Sequence, residues 1–235
     1  HRYLGTKSIE NLVVDSASIE VNRRSRRTKT DRLDVVKLVT MLIRYHSGEQ
    51  KVWSVVQVPS VEAEDQRHLH RQLRKFKADR TRHINRIKGL LVGQGVRLPV
   101  KRNFLERVAE VRLWDGARLP PGLHTRLERE YAEFQHIDQQ IRELEAARRE
   151  LIRTSGDASE EKVRALLKLR GIGENSAWLF VKEFFGWRVF RNRREVGSLA
   201  GLTPTPYQSG DQTREQGISK AGNRPVRGIA IEVAW

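Results

Sequence analysis

The sequence predicts a helix-rich α+β protein in three regions. An α/β segment covers 1–58, a long antiparallel coiled coil covers 59–155, and a helical domain covers 156–235. Three observations lead there. Strand-like apolar clusters occur only near the N-terminus. Two long stretches repeat apolar residues at steps of three and four, or multiples of them. A Gly-Ile-Gly turn then interrupts a third helical pattern, giving a helix–turn–helix element.

In the first region, Leu12-Val13-Val14 has a buried-strand pattern ended by Asp15 and Ser16. A basic loop follows, with Arg23, Arg24, Arg26, Arg27 and Lys29. Thr30-Asp31-Arg32-Leu33-Asp34 opens a helix with Leu38, Met41 and Leu42 on one face. Val52 to Val58 reads as a further strand, stopped by Pro59. A long helix is predicted from about 60 to 93, with Leu69, Leu73, Phe76, Ile84, Ile87 and Leu91 as its stripe and Gly93 and Gly95 at its end. A second runs from about 121 to 153, after Pro120-Pro121, with Leu127, Tyr131, Phe134, Ile141, Leu144 and Leu151. Stripes of this kind pair two helices, and Trp114 marks the turn between them. Thr154 to Ser159 is a polar linker. Leu166, Leu167 and Leu169 lead into Gly171-Ile172-Gly173, and Ala177, Leu179, Phe180 and Val181 follow. Gly201 to Pro206 reads as loop, 217–224 as a glycine-rich basic segment, and the rest as a final helix.

The 235 residues carry 45 lysines and arginines against 29 acids, a net charge of +16. A polyanion relieves that self-repulsion, and nucleic acid gains further from counterion release. No apolar run approaches the ~20 residues that span a bilayer. The absence of cysteine excludes disulfides, cysteine-based zinc sites and thiol nucleophiles, and fits an intracellular protein. The chain starts at His1 and ends at Trp235 inside a helical pattern without a stop signal, so a piece of a longer protein, truncated at both ends, is expected.

Several features can carry chemistry. Asp31 and Asp34 are three residues apart and share a helix face, which suits Mg²⁺ or Mn²⁺; acids in a first turn also simply stabilise the helix. Gly171 and Gly173 offer backbone N–H groups to a phosphate, or form a tight interhelical turn. Ser209, in a loop rich in glycine and proline, is a candidate nucleophile or a turn residue. Between Gln66 and Leu90 nine basic residues face one acid, Asp79, which points to phosphate contact by Arg71, Lys75, Arg82 and Arg86. The histidines are scattered and form no metal pattern.

Two stretches resemble a known family, the bridge-RNA-guided transposases of insertion sequences, which include the Piv-like DNA invertases. One is Lys29-Thr30-Asp31-Arg32-Leu33-Asp34. The other is Gly201-Leu202-Thr203-Pro204, then Gln208-Ser209-Gly210, then Gly217-Ile218-Ser219-Lys220-Ala221-Gly222-Asn223-Arg224. The resemblance implies that 1–58 is the end of a RuvC-like (RNase H-like) catalytic domain and that 156–235 is a transposase domain with a helix-hairpin-helix-like element. It implies a four-acid metal site whose last two members are Asp31 and Asp34. It also implies a catalytic serine, Ser209 or else Ser219, that attacks a DNA phosphodiester. The first Asp and the Glu of that site belong upstream of His1, so this piece alone is expected to be inactive. The implied partners are DNA, a structured guide (bridge) RNA and further copies of the chain, as dimer or tetramer, in the bacterial cytoplasm at the nucleoid. Arg23, Arg24, Arg26, Arg27, Arg214, Lys220 and Arg224 join the helix cations as candidate nucleic-acid contacts. The alternatives are a non-catalytic module that grips RNA and DNA, and a coiled-coil scaffold, against which the charge argues.

Overall fold

A computed structural model describes residues 1–20, 30–49 and 51–234. They form two compact units, His1–Ser60 and Val61–Trp235. In the first, α1 (Arg2–Thr6) and a 3₁₀ turn (Ser16–Ser18) precede α2 (Asp31–His46). Its core is Met41, Val52 and Trp53, with Leu12, Val14, Ile19 and Tyr45 packed around them. The two predicted strands reduce to one antiparallel bridge, Val14 opposite Val55. Val56 N–H donates to the Val13 carbonyl at 2.7 Å and Asp15 N–H to that of Ser54 at 2.9 Å. A lone strand pair is marginal in water, so packing around Trp53 places these residues rather than a ladder. Of the predicted face of α2 only Met41 is buried; Leu38 and Leu42 remain exposed.

In the second unit the predicted 60–93 helix is two, α3 (Val61–Asp65) and α4 (His68–Val92). The break coincides with the burial of Arg67, whose guanidinium lies over the Trp187 ring at 5.0 Å. The end of α4 is as predicted: Gly95, at φ +73°, lets Val96 N–H reach the Leu91 carbonyl at 3.0 Å. The connector is more than a turn. It holds α5 (Phe104–Glu110), whose Phe104 and Val108 pack with Ile87, Leu91, Leu119, Leu127 and Tyr131, while Trp114 is 93% exposed. α6 (Pro121–Thr154) starts on Pro121, where the missing N–H costs nothing.

α4 and α6 pack antiparallel. Arg86 meets Glu130 at 2.9 Å, Arg80 meets Asp138 at 3.0 Å and Lys77 meets Glu145 at 2.6 Å, so the partner numbers run in opposite directions. Steps of three and four carry the α4 seam from His70 and Leu73 through Lys77 and Arg80 to Ile87 and Leu91. On α6 the same steps run from Leu127 and Tyr131 through Asp138 and Glu145 to Arg148 and Ile152. The middle of the seam therefore sets ion pairs beside buried Ile141, and apolar periodicity does not detect the ion pairs. The steps land on buried Ile152, and Leu151, predicted to face inward, is exposed.

The remaining elements are α7 (Ala158–Leu167), α8 (Glu174–Phe180), a π-helical turn (Val181–Phe185), α9 (Arg193–Ala200), β1 (Pro204–Ser209), β2 (Gln212–Ile218) and α10 (Arg224–Ala234). The Gly171–Gly173 turn joins α7 to α8, with Gly171 at φ +87° and Ile172 packed against Val163, Trp178 and Val181. Pro204 to Ser209, predicted as loop up to Pro206, is instead a strand paired with β2. Among the described residues no helix is long and apolar enough to cross a membrane.

Two charged neighbours in the π turn tie these parts together. Lys182, 2% exposed, donates to Glu160 at 2.6 Å, to Ser159 and to Gln66 at 3.0 Å, and lies over the Trp178 ring. Glu183, 4% exposed, accepts from His70 Nε2 at 2.7 Å and from two Arg71 nitrogens at 2.9 and 3.0 Å. Asn223, just before α10, adds a longer contact at 3.4 Å. Burial pushes the Glu183 carboxyl up, but the hydrogen bonds and charges of His70 and Arg71 outweigh it and hold the group at about 2. This depressed value stabilises the fold fully above the unfolded pKa of about 4.3, and the contribution is lost as pH falls through about 2. Glu183→Gln is expected to cost about 3 kcal/mol near neutrality. The gap to wild type in urea unfolding should shrink as pH falls from about 5 toward 2; a pH-independent gap would contradict the assignment.

Candidate nucleic-acid interface

Asp31 and Asp34 lie in the first turn of α2, and both are exposed. Thr30 is extended and its Oγ1 accepts from Leu33 N–H at 3.4 Å. Capping and the helix dipole account for the local sequence. The two carboxylates are oxygen donors of the kind a hard divalent cation takes. Among the described residues no three histidines or acids come together as a metal cluster. Arg23, Arg24, Arg26, Arg27 and Lys29 lie outside the described residues.

Ser209 sits at the tip of a two-stranded ribbon. It pairs with Gln212 across the two-residue turn Gly210-Asp211, where Gly210 takes φ +57°. The register continues with Gln208 opposite Thr213, Tyr207 opposite Arg214 and Pro206 opposite Glu215, then slips by one residue toward Pro204. The prolines are tolerated because the ribbon has only edge strands and an irregularity at its root. Nearly the whole ribbon is exposed. The turn dipeptide was the available signal for this hairpin, and proline content masked it.

The segment 217–224 folds back at the root of the ribbon. Ser219 N–H donates to the Thr203 carbonyl at 2.8 Å, Lys220 N–H to Gly201 at 3.1 Å and Asn223 N–H to Leu199 at 2.8 Å. The Asn223 side chain caps α10 through Val226 N–H, and Arg227 donates to the Lys220 and Ala200 carbonyls. Two glycines make this approach feasible. A Cβ on Gly201 would sit 2.4 Å from the Ala221 carbonyl oxygen, and one on Gly222, at φ +128°, would sit 2.3 Å from that of Leu199. Close packing of the chain on itself thus explains these glycines.

The predicted contacts are therefore distributed. Arg214 is two ribbon positions from Ser209, whereas Lys220 and Arg224 lie at the root. At 3.2–3.4 Å per residue the root is roughly 17 Å from the tip. On α4, Arg71 is held by Glu183, Arg82 by Asp79 and Arg86 by Glu130. Burial raises the Glu130 carboxyl, and the Arg86 and His83 hydrogen bonds more than offset it, leaving its pKa lowered. Lys75 is exposed and shows no ion pair among the described residues, as do Arg74 and Lys88. Lys182 and Glu183 carry a sequence signal, a Lys-Glu pair inside the apolar run Trp178 to Phe185, whereas Glu160 carries none.

Gly222→Ala should release the 217–224 segment from α9. The expected outcome is early proteolysis between Gly217 and Arg224 and a loss of about 2 kcal/mol or more, since both the φ and the space forbid a side chain. An unchanged digestion pattern and melting temperature would refute the clamp.

Residues 163–235 match the family described as "Transposase IS116/IS110/IS902 family". The chain is similar to the transposase-like protein y4rJ of Sinorhizobium fredii, 39% identical over 244 residues that take in 100% of this chain and 61% of that protein. It is also similar to the transposase for insertion sequence element IS1328 of Yersinia enterocolitica, 29% identical over 166 residues, 71% of this chain and 48% of the relative. A third relative is the transposase for insertion sequence element IS1111A of Coxiella burnetii, 27% identical over 180 residues, 76% of this chain and 48% of that protein. The chain spans about half to three-fifths of the length of these relatives. The stretch that resembles the IS116/IS110/IS902 transposase family, residues 163–235, includes the Gly171–Gly173 turn and the β1–β2 ribbon.

Proposed function

We propose that the chain is the working part of an insertion-sequence DNA transposase that cuts and rejoins DNA under the guidance of a structured RNA. The observation that carries this reading is the presentation of Ser209 at the exposed tip of a ribbon inside the matched transposase domain. A hydroxyl there can reach a DNA backbone without displacing any packed element. In the proposed step the Ser209 Oγ–P bond forms as one phosphodiester P–O bond breaks, the serine proton passes to a base, and the freed strand end departs as a hydroxyl. Arg214, two positions along the ribbon, is placed to offset negative charge on the phosphate.

Asp31 and Asp34 would contribute two oxygen ligands to a Mg²⁺ or Mn²⁺ ion. Such an ion, when bound, supplies Lewis-acid activation for phosphoryl transfer. Among the described residues no further acid or histidine joins them in a metal cluster, so in this reading the remaining ligands come from a partner copy or from the rest of a longer protein. One observation favours a second reading, a non-catalytic module that grips RNA and DNA: the carboxylate pair is accounted for by the capped start of α2.

A full-length protein containing this chain, its RNA and labelled DNA should yield a covalent protein–DNA adduct that maps to Ser209. Ser209→Ala should abolish the adduct, and Asp31→Asn should abolish recombination while leaving RNA binding intact. Attachment at Ser219 or at a tyrosine would reject Ser209, and recombination without any adduct would reject covalent catalysis. Grip by α4 is tested separately through salt. Neutralising Arg74, Lys75 and Lys88 should each reduce the slope of log K against log salt by about one unit. Neutralising Arg86, already paired with Glu130, should change the slope less; equal effects would show that the ion pair does not withhold it from phosphate.

A further inference from the structure

Near the distal end of the α4–α6 hairpin lies a cavity of about 420 Å³. Lys101 and Arg102 from the connector form one wall, and Tyr131, Phe134 and Arg142 of α6 contribute to the other. The walls are fixed to one another. The Tyr131 hydroxyl donates to the Lys101 and Arg102 carbonyls at 2.9 and 2.8 Å, so the connector backbone is pinned and both basic side chains start from a fixed point. Arg142 is aimed by Asp138, which accepts its guanidinium at 2.6 Å and is itself tied to Arg80 at 3.0 Å. Phe134 is half-buried, and its ring stacks on that of Tyr131 at 5.6 Å with 26° between planes. Tyr131 in turn packs on Phe104 at 5.1 Å, so the aromatic column is anchored in the core.

We propose that this cavity binds one unpaired nucleotide of a single-stranded nucleic acid, with the base against Phe134 and the flanking phosphates on Lys101 and Arg102. The assignment rests on the reading of the chain as a nucleic-acid-binding protein and adds a site to it. The volume suits a nucleotide-sized ligand. The chemistry pairs a π face with cations, which is how proteins hold single strands without reading a duplex groove. The one carboxylate in the lining, Asp138, is engaged by Arg80 and Arg142, which leaves the exposed Lys101 and Arg102 without an ion pair among the described residues. Gln135 and Gln139 line the same space with amides that can donate to and accept from a base edge.

The test uses the intact 235-residue chain and three probes: a short oligouridine RNA, an oligothymidine DNA of equal length and a duplex DNA. Phe134→Leu keeps an apolar side chain on the core and removes the ring. It should weaken both single-strand probes about tenfold, the scale of one lost base–aromatic stack, and change duplex binding less than twofold. Phe134→Trp should restore single-strand affinity. An oligouridine carrying a photoreactive 4-thiouridine should crosslink to the tryptic peptide Glu130–Arg142. A loss confined to the RNA or to the DNA probe would identify the ligand as that nucleic acid. Wild-type binding that is unaffected by Phe134→Leu, or weakened equally for duplex and single strand, overturns the site while leaving nucleic-acid binding in place. A wild-type chain that binds none of the probes overturns both.

Discussion

The second unit depends on one buried carboxylate. Glu183 sits in a π-helical turn and receives hydrogen bonds from His70 and Arg71 of α4, with Asn223 approaching from the start of α10. A buried charge of this kind is costly unless it is fully met, so its partners cannot drift apart independently. The adjacent Lys182 does the same with Glu160 and Ser159 of α7 and with Gln66 between α3 and α4. Two consecutive residues thus lock the root of the long hairpin to the helices that carry the ribbon. Consecutive helical residues point about 100° apart, so these two buried neighbours in the π turn reach different elements.

Beyond that lock the architecture becomes progressively more exposed. The hairpin is apolar near its ends, at Leu73 and at the Ile87–Phe104–Tyr131 cluster, and along its middle adds ion pairs beside buried Ile141. Ion pairs in a seam contribute modestly to stability but disfavour shifted registers, because a slip would oppose cations to apolar residues. The ribbon is the other extreme. It has almost no burial of its own and is held by its root, where Gly201 and Gly222 permit backbone contact that no side chain would allow. A rigid base with a solvated arm suits a chain proposed to present a nucleophile to DNA.

Much of the helical framework was legible in the residue order. The start of α2 at Thr30, the end of α4 near Gly95 and the start of α6 at Pro121 carry local signals that act through the backbone of a few residues, and each appears where those signals put it. The pairing of two long helices follows from their spacing. The strand β1 was not legible, because two prolines argue against a ladder unless the strand is known to be an edge. The cavity beside Phe134 was equally hidden, since Lys101 and Arg142 lie far apart in sequence.

By itself, the sequence determined a basic, cysteine-free, helix-rich chain, the positions of its main helical stops, and the motifs that resemble a transposase family. These follow from local backbone preferences and from composition, which need no knowledge of neighbours. Only the tertiary structure decided which cations are available. Arg71, Arg82 and Arg86 read alike in a basic stripe, yet each is matched to an acid, two of them on other elements, while Lys75 stays open. It also decided that Ser209 stands at a tip and Ser219 at a root, because the ribbon register and the glycine clamp are contacts between residues distant in the chain.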